Sequence, residues 1–416
     1  MTISHHGTDK VNIDGMLDAY YSRVRPVASR MQRLGTETAF EVLAKARALE
    51  AQGRHIVHLE IGEPDFDTPP SISDEGVRAI RAGQTHYTPS AGIPELRAAI
   101  ANHVTRTRGF AADAANVIVT PGAKPIMFYA VLALLDEGDE AIVPDPGFPI
   151  YASMVQFVGA KAVSLALREE NVFGVDVDEL KRLITPRTKL LVLNSPHNPT
   201  GGVLTGDQIR EIARLAQEHD LWVLSDEIYG ELLYDGEFVS PWAQTGMRER
   251  TILLDGFSKT FAMTGWRLGY GVFPRALVDG VTKLVTNSVS CTAAFVQRAG
   301  VLALERRPKE VDDMVREFRR RRDRIVGGLN DIDGVTCVMP RGAFYAFPNV
   351  KRLGMRSAAL NEALLNDAGV ACLAGTAFGA MGEGYLRLSY ANSLDNIEEA
   401  LRRFSRWVRE QSAVRA

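Results

Sequence analysis

Residues 190–229, LLVLNSPHNPTGGVLTGDQIREIARLAQEHDLWVLSDEIY, contain two short apolar runs separated by a polar turn and an amphipathic segment. Leu190–Leu193 and Leu221–Leu224 have the length and composition of buried strands, and Gly206–His219 between them has the apolar spacing of a helix. A strand, a turn, a helix and a second strand in this order predict two parallel strands joined by a crossover helix.

The same alternation extends from about residue 70 to residue 305. Further elements predicted in this region are the strands Val117–Val119, Ala141–Val143, Thr251–Leu254 and Arg267–Val272 and the helix Ile126–Leu135. We therefore predict an α/β fold, with a large domain whose mostly parallel sheet is wound with helices.

The pattern changes after about residue 306. Helices are predicted at Ala39–Glu50, Pro308–Leu329, Ser357–Asn366 and Leu394–Val408, and short strands at His58–Ile61, Val335–Val338, Phe344–Phe347, Ala371–Leu373 and Leu386–Ser389. We predict a polar N-terminal arm at residues 1–30, a large domain at residues 65–305, and a smaller α+β domain formed by residues 31–64 and 306–416.

The composition is that of an ordinary globular protein. The chain has 416 residues, of which 46% are hydrophobic and 24% charged, and its net charge of -3 favours neither nucleic acid nor a membrane surface as a partner. Its three cysteines, Cys291, Cys337 and Cys372, are too far apart for a zinc knuckle. The first ten residues lack the apolar core of a signal peptide, so a cytoplasmic location is expected.

Polar or glycine-rich clusters follow five of the predicted strands, which is where ligands bind in open α/β sheets. The turn Thr120-Pro121-Gly122-Ala123-Lys124 precedes a helix and could hold an anion on backbone N–H groups, or be a plain turn. Phe148, in Asp145-Pro146-Gly147-Phe148, could stack on a planar ligand or be a packed core residue.

The other three clusters carry amide, carboxylate and amine groups. Asn194–Gly201 is a proline-rigidified turn whose asparagines can orient a ligand. Asp226 ends a buried strand and therefore needs a cationic partner. Lys259 follows Ser258, and Arg267 lies eight residues further on. Taken singly, each has a structural alternative: a structural turn, a salt bridge or a surface lysine. His197 has no second ligand at metal-binding spacing, so no metal site is expected.

Together these groups match the needs of pyridoxal phosphate. A planar ring requires a stacking face and an acid for its nitrogen, a phosphate requires a cradle, and an aldehyde requires a lysine with which to form a Schiff base.

The chain also resembles the class I/II aminotransferases, the aspartate-aminotransferase-like branch of the fold-type I enzymes that use pyridoxal phosphate. The resemblance covers about residues 30–410 and rests, in family order, on IGEPDFDTP, YTPSAGIPELR, VTPGAKP, NSPHNPTGG, SDEIY, SKTFAMTGWRLGY, GAFY and RLSYA. It implies a seven-stranded sheet and an enzyme that moves an amino group between an L-amino acid and a 2-oxo acid by a ping-pong mechanism.

The resemblance assigns roles around the cofactor ring. Lys259 would form the Schiff base and carry the proton that moves during the reaction. Asp226 would pair with the ring nitrogen, Asn198 and Tyr229 would donate to the ring hydroxyl oxygen, and Phe148 would stack on the ring.

It also implies how the phosphate is held and how subunits associate. Gly122, Ala123, Ser258 and Arg267 would hold the phosphate, and Tyr87 would reach the phosphate of a neighbouring subunit. A homodimer with shared active sites is therefore expected.

The substrate contacts follow from the same resemblance. Arg387, helped by Gly62 and Asn198, would bind the α-carboxylate. Lys124 is expected at the cofactor and also at the distal carboxylate of an acidic substrate, whereas Glu37 near the same pocket would repel that carboxylate or neutralise Lys124.

The motifs therefore predict glutamate and 2-oxoglutarate as one substrate pair and favour aspartate for the other. An alanine or aromatic aminotransferase remains an alternative, as does a pyridoxal-phosphate-dependent lyase or synthase on the same fold. A regulator with a borrowed aminotransferase domain would need an added DNA-binding domain, and residues 1–30 are too short for one.

Overall fold

The computed structural model of the chain describes residues 27–415. Most of the predicted N-terminal arm, residues 1–26, lies outside these residues. The part of the arm that is described begins with a short 3₁₀ helix at Ser29–Arg33.

Short strands form one large and two small sheets. The strands are β1 (Val57–His58), β2 (Val117–Thr120), β3 (Glu140–Asp145), β4 (Lys161–Ala166), β5 (Thr188–Asn194), β6 (Trp222–Asp226), β7 (Thr251–Gly256), β8 (Gly269–Val272), β9 (Tyr345–Ala346), β10 (Val370–Ala371), β11 (Leu373–Ala374) and β12 (Leu386–Ser389).

The large sheet has seven strands in the order β2-β8-β7-β6-β5-β3-β4. All pairs are parallel except those made by β8, which runs antiparallel to both β2 and β7. Residues of β5 alternate between two apolar clusters: Leu190 and Val192 join one, and Leu191 and Leu193 join the other. The strand is thus buried on both faces, as expected for a parallel sheet covered by helices. The predicted mostly parallel α/β fold is confirmed.

The α-helices follow the predicted alternation. They span Ala39–Glu50, Pro70–Arg81, Pro94–Arg108, Lys124–Leu134, Ile150–Phe157, Val177–Leu183, Gly206–Glu218, Arg275–Ser288, Ala294–Arg306, Lys309–Asn330, Ser357–Ala363 and Leu394–Arg415. Gly206–Glu218 begins with a reciprocal capping box between Thr205 and Gln208, which satisfies N–H groups that the first turn leaves free. None of the described helices is both long and apolar enough to cross a lipid bilayer.

The two ends of the described chain pack together. β1 pairs in parallel with β10, and β11, β12 and β9 form an antiparallel sheet. One apolar cluster contains Val57 and Leu59 together with side chains from residues 314–408. This contact is the one expected between residues 31–64 and 306–416, and the division into two domains stays a prediction.

Two predictions about the C-terminal region were wrong. Val335–Val338 is not a strand; it contributes only an isolated bridge, between Thr336 and Asn349. The single strand predicted at Ala371–Leu373 is two strands, β10 and β11, in different sheets. The helix predicted at Ser357–Asn366 is present and changes from an α-helix to a π-helix at Leu364.

The large sheet differs from the prediction at two points. β4 is an edge strand whose first residues are partly exposed, and no strand was predicted there. The strand expected at Arg267–Val272 begins only at Gly269, because Arg267 has a left-handed backbone with φ 54°. That turn places Arg267 just before β8 begins, outside the hydrogen-bonded part of the strand.

Candidate active site

A cavity of about 360 Å³ lies where the central strands of the large sheet end, a size that suits a small ligand. The predicted site residues that line it are Gly62, Ala123, Lys124, Phe148, Asn198, Asp226, Tyr229, Ser258, Lys259, Arg267 and Arg387. Gly122 adjoins Arg267 at its edge. Tyr87 is 90% exposed and is not part of the lining.

Asp226 is a buried carboxylate at the end of β6. Its side chain accepts hydrogen bonds from the Tyr151 hydroxyl at 2.6 Å and from the Ile228 N–H at 3.1 Å. Burial raises the pKa of Asp226 to about 6, and the hydrogen bond from Tyr151 opposes that rise. A cation placed against this carboxylate would favour its ionised form.

Lys259 lies in the turn that follows β7. Its Nζ donates to the backbone carbonyl of Gly62 and lies 5.6 Å from the centroid of the Phe344 ring. Burial lowers the pKa of Lys259 to about 8. A larger fraction of this amine is therefore neutral, and nucleophilic, at neutral pH than for an exposed lysine.

A candidate anion site lies at residues 121–123, where β2 leads into the helix Lys124–Leu134. Gly122 has a φ of 86°, and a Cβ there would overlap the Arg267 guanidinium. Arg267 Nη1 donates to the Thr264 carbonyl at 2.7 Å. The close approach of loop and guanidinium, at the positive end of the helix, suits a phosphate. Only glycine permits that approach.

Arg387 in β12 is a buried cation without an ionic partner. It is 4% exposed, Nη2 donates to the Glu60 backbone carbonyl, and Nη1 donates to Asn198 Oδ1 at 3.3 Å. Its Nε has no hydrogen-bond partner, and no carboxylate of residues 27–413 lies within ion-pair distance. Because an unpaired buried charge is costly, this guanidinium is suited to receive a carboxylate from a ligand.

Five polar residues that line the cavity were not among the predicted site residues: Glu63, Tyr151, Asn194, Thr264 and Tyr345. Asn194 accepts the Asn198 backbone N–H at 2.9 Å and donates to the Asp226 carbonyl at 3.1 Å. It thereby connects the ends of β5 and β6. The signal was present, because Asn194 is the first polar residue after the apolar run of β5.

The two missed tyrosines support predicted residues. The Tyr345 hydroxyl lies 2.7 Å from the Tyr229 hydroxyl, and burial raises the pKa of both phenols. Tyr151 lies three residues after Phe148, and the two rings meet edge to face with centroids 5.7 Å apart. The motifs GAFY and GFPIY contain these tyrosines, but only their contacts reveal what they do.

Lys124 and Glu37 both face the cavity and form an ion pair with each other. Lys124 Nζ also lies 5.5 Å from the centroid of the Phe148 ring. Of the two effects expected of Glu37, the geometry matches neutralisation of Lys124.

The donor set fits pyridoxal phosphate. A glycine turn and Arg267 offer an anion cradle, Phe148 offers a ring face, Asp226 is a buried acid, and Lys259 is an amine of lowered pKa.

Comparison with known proteins gives a consistent set of relatives. The family model described as aminotransferase class I and II matches residues 54–404. An aspartate aminotransferase of Pyrococcus abyssi is 43% identical over 86% of this chain and 93% of its own length. An aromatic-amino-acid aminotransferase of Thermococcus litoralis is 42% identical over 88% of this chain and 95% of its own.

A solved structure agrees with them. The aspartate aminotransferase of Thermus thermophilus, determined with maleate, superposes with a TM-score of 0.89 at 40% identity and covers 92% of this chain and 100% of its own.

Proposed function

The chain belongs to the class I and II aminotransferase family, and from that premise we propose that it is a cytoplasmic, homodimeric enzyme that binds pyridoxal phosphate in this cavity. Its reaction moves an amino group between an L-amino acid and a 2-oxo acid. The observation that carries the proposal is the presence of Lys259, Asp226 and the unpaired Arg387 on one cavity. An enzyme that uses pyridoxal phosphate to act on an amino acid would need all three.

Different side chains would hold the phosphate and the ring nitrogen of the cofactor. The Gly122–Ala123 turn and the side chains of Ser258 and Arg267 would hold the phosphate. Asp226 would hold a proton on the ring nitrogen, with Tyr151 fixing the orientation of its carboxylate.

Other residues would contact the face of the cofactor ring and the ring hydroxyl. Phe148 would cover one face of the ring, and the Asn198 amide and the Tyr229 phenol would donate to the ring hydroxyl oxygen.

When bound, the cofactor supplies an aldehyde that exchanges with amines and a ring that accepts electrons. Arg387 binds the substrate α-carboxylate, with Asn198 beside it, and so fixes the orientation of the substrate at Cα. Lys259 Nζ would accept the proton that leaves the substrate Cα and would then donate it, so that the proton moves within the site. The lowered pKa of Lys259 suits it to do both near neutral pH.

We propose glutamate with 2-oxoglutarate as one substrate pair and aspartate with its 2-oxo acid as the favoured other. Relatives named aspartate aminotransferase support this choice, as does Lys124, a cation on the cavity wall. The relative named for aromatic amino acids keeps uncharged donors as the second candidate.

A lyase or synthase on the same fold would use the same Lys259, Asp226 and Arg387. The two kinds of enzyme differ in products. An aminotransferase stores the amino group on the cofactor and returns it to a 2-oxo acid. The test is therefore whether the purified protein, supplied with pyridoxal phosphate, makes a 2-oxo acid and an amino acid in equal amounts.

The protein is expected to be a homodimer whose subunits complete each other's active sites. Tyr87 is almost fully exposed in the single subunit and does not line the cavity. We propose that it completes the phosphate site of a second subunit. Light scattering of the cofactor-loaded protein should give twice the 45.6 kDa of one chain, and Tyr87→Phe should weaken retention of the cofactor. A fully active species with the mass of one chain would contradict the shared site.

A further inference from the structure

One ion pair of the cavity has no part in the reaction described above. Lys124 is at the start of the helix Lys124–Leu134, and Glu37 lies in the loop before the helix Ala39–Glu50. Lys124 Nζ donates to Glu37 Oε1, although the two residues are 87 positions apart in sequence. The Glu37 side chain is 20% exposed and the Lys124 side chain 49% exposed, so Glu37 is the more buried member of the pair and solvent reaches Lys124.

The other charges on the wall already have partners under the proposed function. Asp226 and Arg267 serve the cofactor, and Arg387 serves the α-carboxylate. Lys259 carries the reacting amine, and Glu63 accepts the Thr264 hydroxyl. The pair of Lys124 and Glu37 is what remains to meet the substrate side chain, and its net charge is zero.

The surroundings of this pair are largely apolar. Phe40, Ile61, Met127 and Phe148 line the cavity together with Lys124 and Glu37. A neutral side chain can pack against these groups and leave the ion pair intact. A second carboxylate, in contrast, must either share the Lys124 ammonium with Glu37 or displace Glu37, and in both cases two negative charges lie close together.

We propose that Glu37 is a specificity-determining residue: its carboxylate engages Lys124 and so lowers the enzyme's selectivity for dicarboxylic over uncharged, apolar or aromatic amino donors. This inference rests on the proposed function and concerns how its pocket distinguishes donors. The enzyme would still accept aspartate.

Glu37 also bears on the charges of Arg387 and Lys259. Burial lowers the pKa of Arg387, and the phenols of Tyr345 and Tyr229, followed by Glu37, oppose this effect. Burial likewise lowers the pKa of Lys259, with Glu63 and Glu37 opposing it. A distal carboxylate bound at Lys124 would therefore share its space with a charge of its own sign.

The test compares two donors in the half-reaction, where no dicarboxylic acceptor complicates the result. The rate of loss of the bound cofactor's absorbance is measured against concentration for L-aspartate and for L-phenylalanine, and kcat/KM is taken for each. Glu37→Gln should raise the aspartate-to-phenylalanine ratio by about tenfold, which corresponds to about 1.4 kcal/mol. Lys124→Met should lower the ratio, because Glu37 would then be an unpaired negative charge that repels the distal carboxylate of aspartate.

Glu63→Gln is the matched control, since it removes the same charge from the same cavity at a carboxylate that does not contact Lys124. Its ratio should stay within about twofold of wild type, a change worth about 0.4 kcal/mol. An unchanged ratio in Glu37→Gln, or an equal rise in Glu63→Gln, would overturn the proposal. If L-glutamate, tested alongside both donors, also failed to bleach the wild-type cofactor, the proposed function itself would fail instead.

Discussion

Lys259→Ala should lower the rate of transamination by roughly 10⁴-fold or more, because the variant loses both the covalent attachment of the cofactor and the base that moves the proton. The protein should still retain pyridoxal phosphate through Asp226 and the phosphate cradle, without a covalent bond. Borohydride reduction followed by peptide mass spectrometry checks both points. The wild type should carry the label on Lys259 and the variant should carry none.

Lys124 provides the comparison, since it is the other lysine on the cavity wall. Label on Lys124 in the wild type, or near-normal turnover by Lys259→Ala, would refute the assignment. The pH dependence adds a second check. Only the neutral amine attacks an aldehyde, so capture of the cofactor by the apoprotein should accelerate up to pH about 8 and then level off. With an ordinary lysine, whose pKa is about 10.4, the rate of cofactor capture would keep rising beyond pH 9.

Asp226→Ala should slow removal of the Cα proton by about 10²–10³-fold. The reason is electrostatic: an opposite charge at this distance shifts the pKa of its partner by about 1–3 units, and a ring nitrogen that loses its proton accepts electrons poorly. The measurement is the exchange of Cα deuterium from labelled substrate in a variant shown by dialysis to hold the cofactor. Exchange at the wild-type rate would remove Asp226 from the mechanism.

Tyr151→Phe is the graded control for this prediction. It keeps the Asp226 carboxylate and removes only the hydrogen bond of 2.6 Å. A single hydrogen bond to a charged group contributes about 1.5–3 kcal/mol, so exchange should slow by about 10- to 100-fold, less than in Asp226→Ala. An effect larger than that of Asp226→Ala would mean that the tyrosine, not the carboxylate, carries the function.

The sequence predicted the large sheet well because its strands are short apolar runs that end in residues with distinct chemistry. Asp226 could be found because it ends a buried strand, and Lys259 because it follows one within SKTFAMTGWRLGY; the resemblance then assigned their roles. β4 was not predicted because it lacks the uninterrupted apolar run of the central strands. Its first residues are partly exposed and include polar side chains.

What the sequence could not supply are contacts between distant segments. Nothing in GFPIY shows that Tyr151 meets Asp226, 75 residues further on. Glu37 was suspected near Lys124, but whether it repels a substrate or neutralises a lysine depends on where its carboxylate points. Arg267 was predicted inside a strand, and only its left-handed backbone explains how it reaches the Gly122 turn.

The central claim is that this chain stores an amino group on its cofactor and passes it on, and the two isolated half-reactions test it most directly. With no acceptor present, one equivalent of L-glutamate should convert the cofactor to its amine form and release one equivalent of 2-oxoglutarate per subunit. Oxaloacetate added after removal of the first product should restore the original absorbance and release one equivalent of L-aspartate. Release of ammonia or carbon dioxide, or repeated consumption of the amino acid with no amine form of the cofactor, would contradict the claim and indicate a lyase.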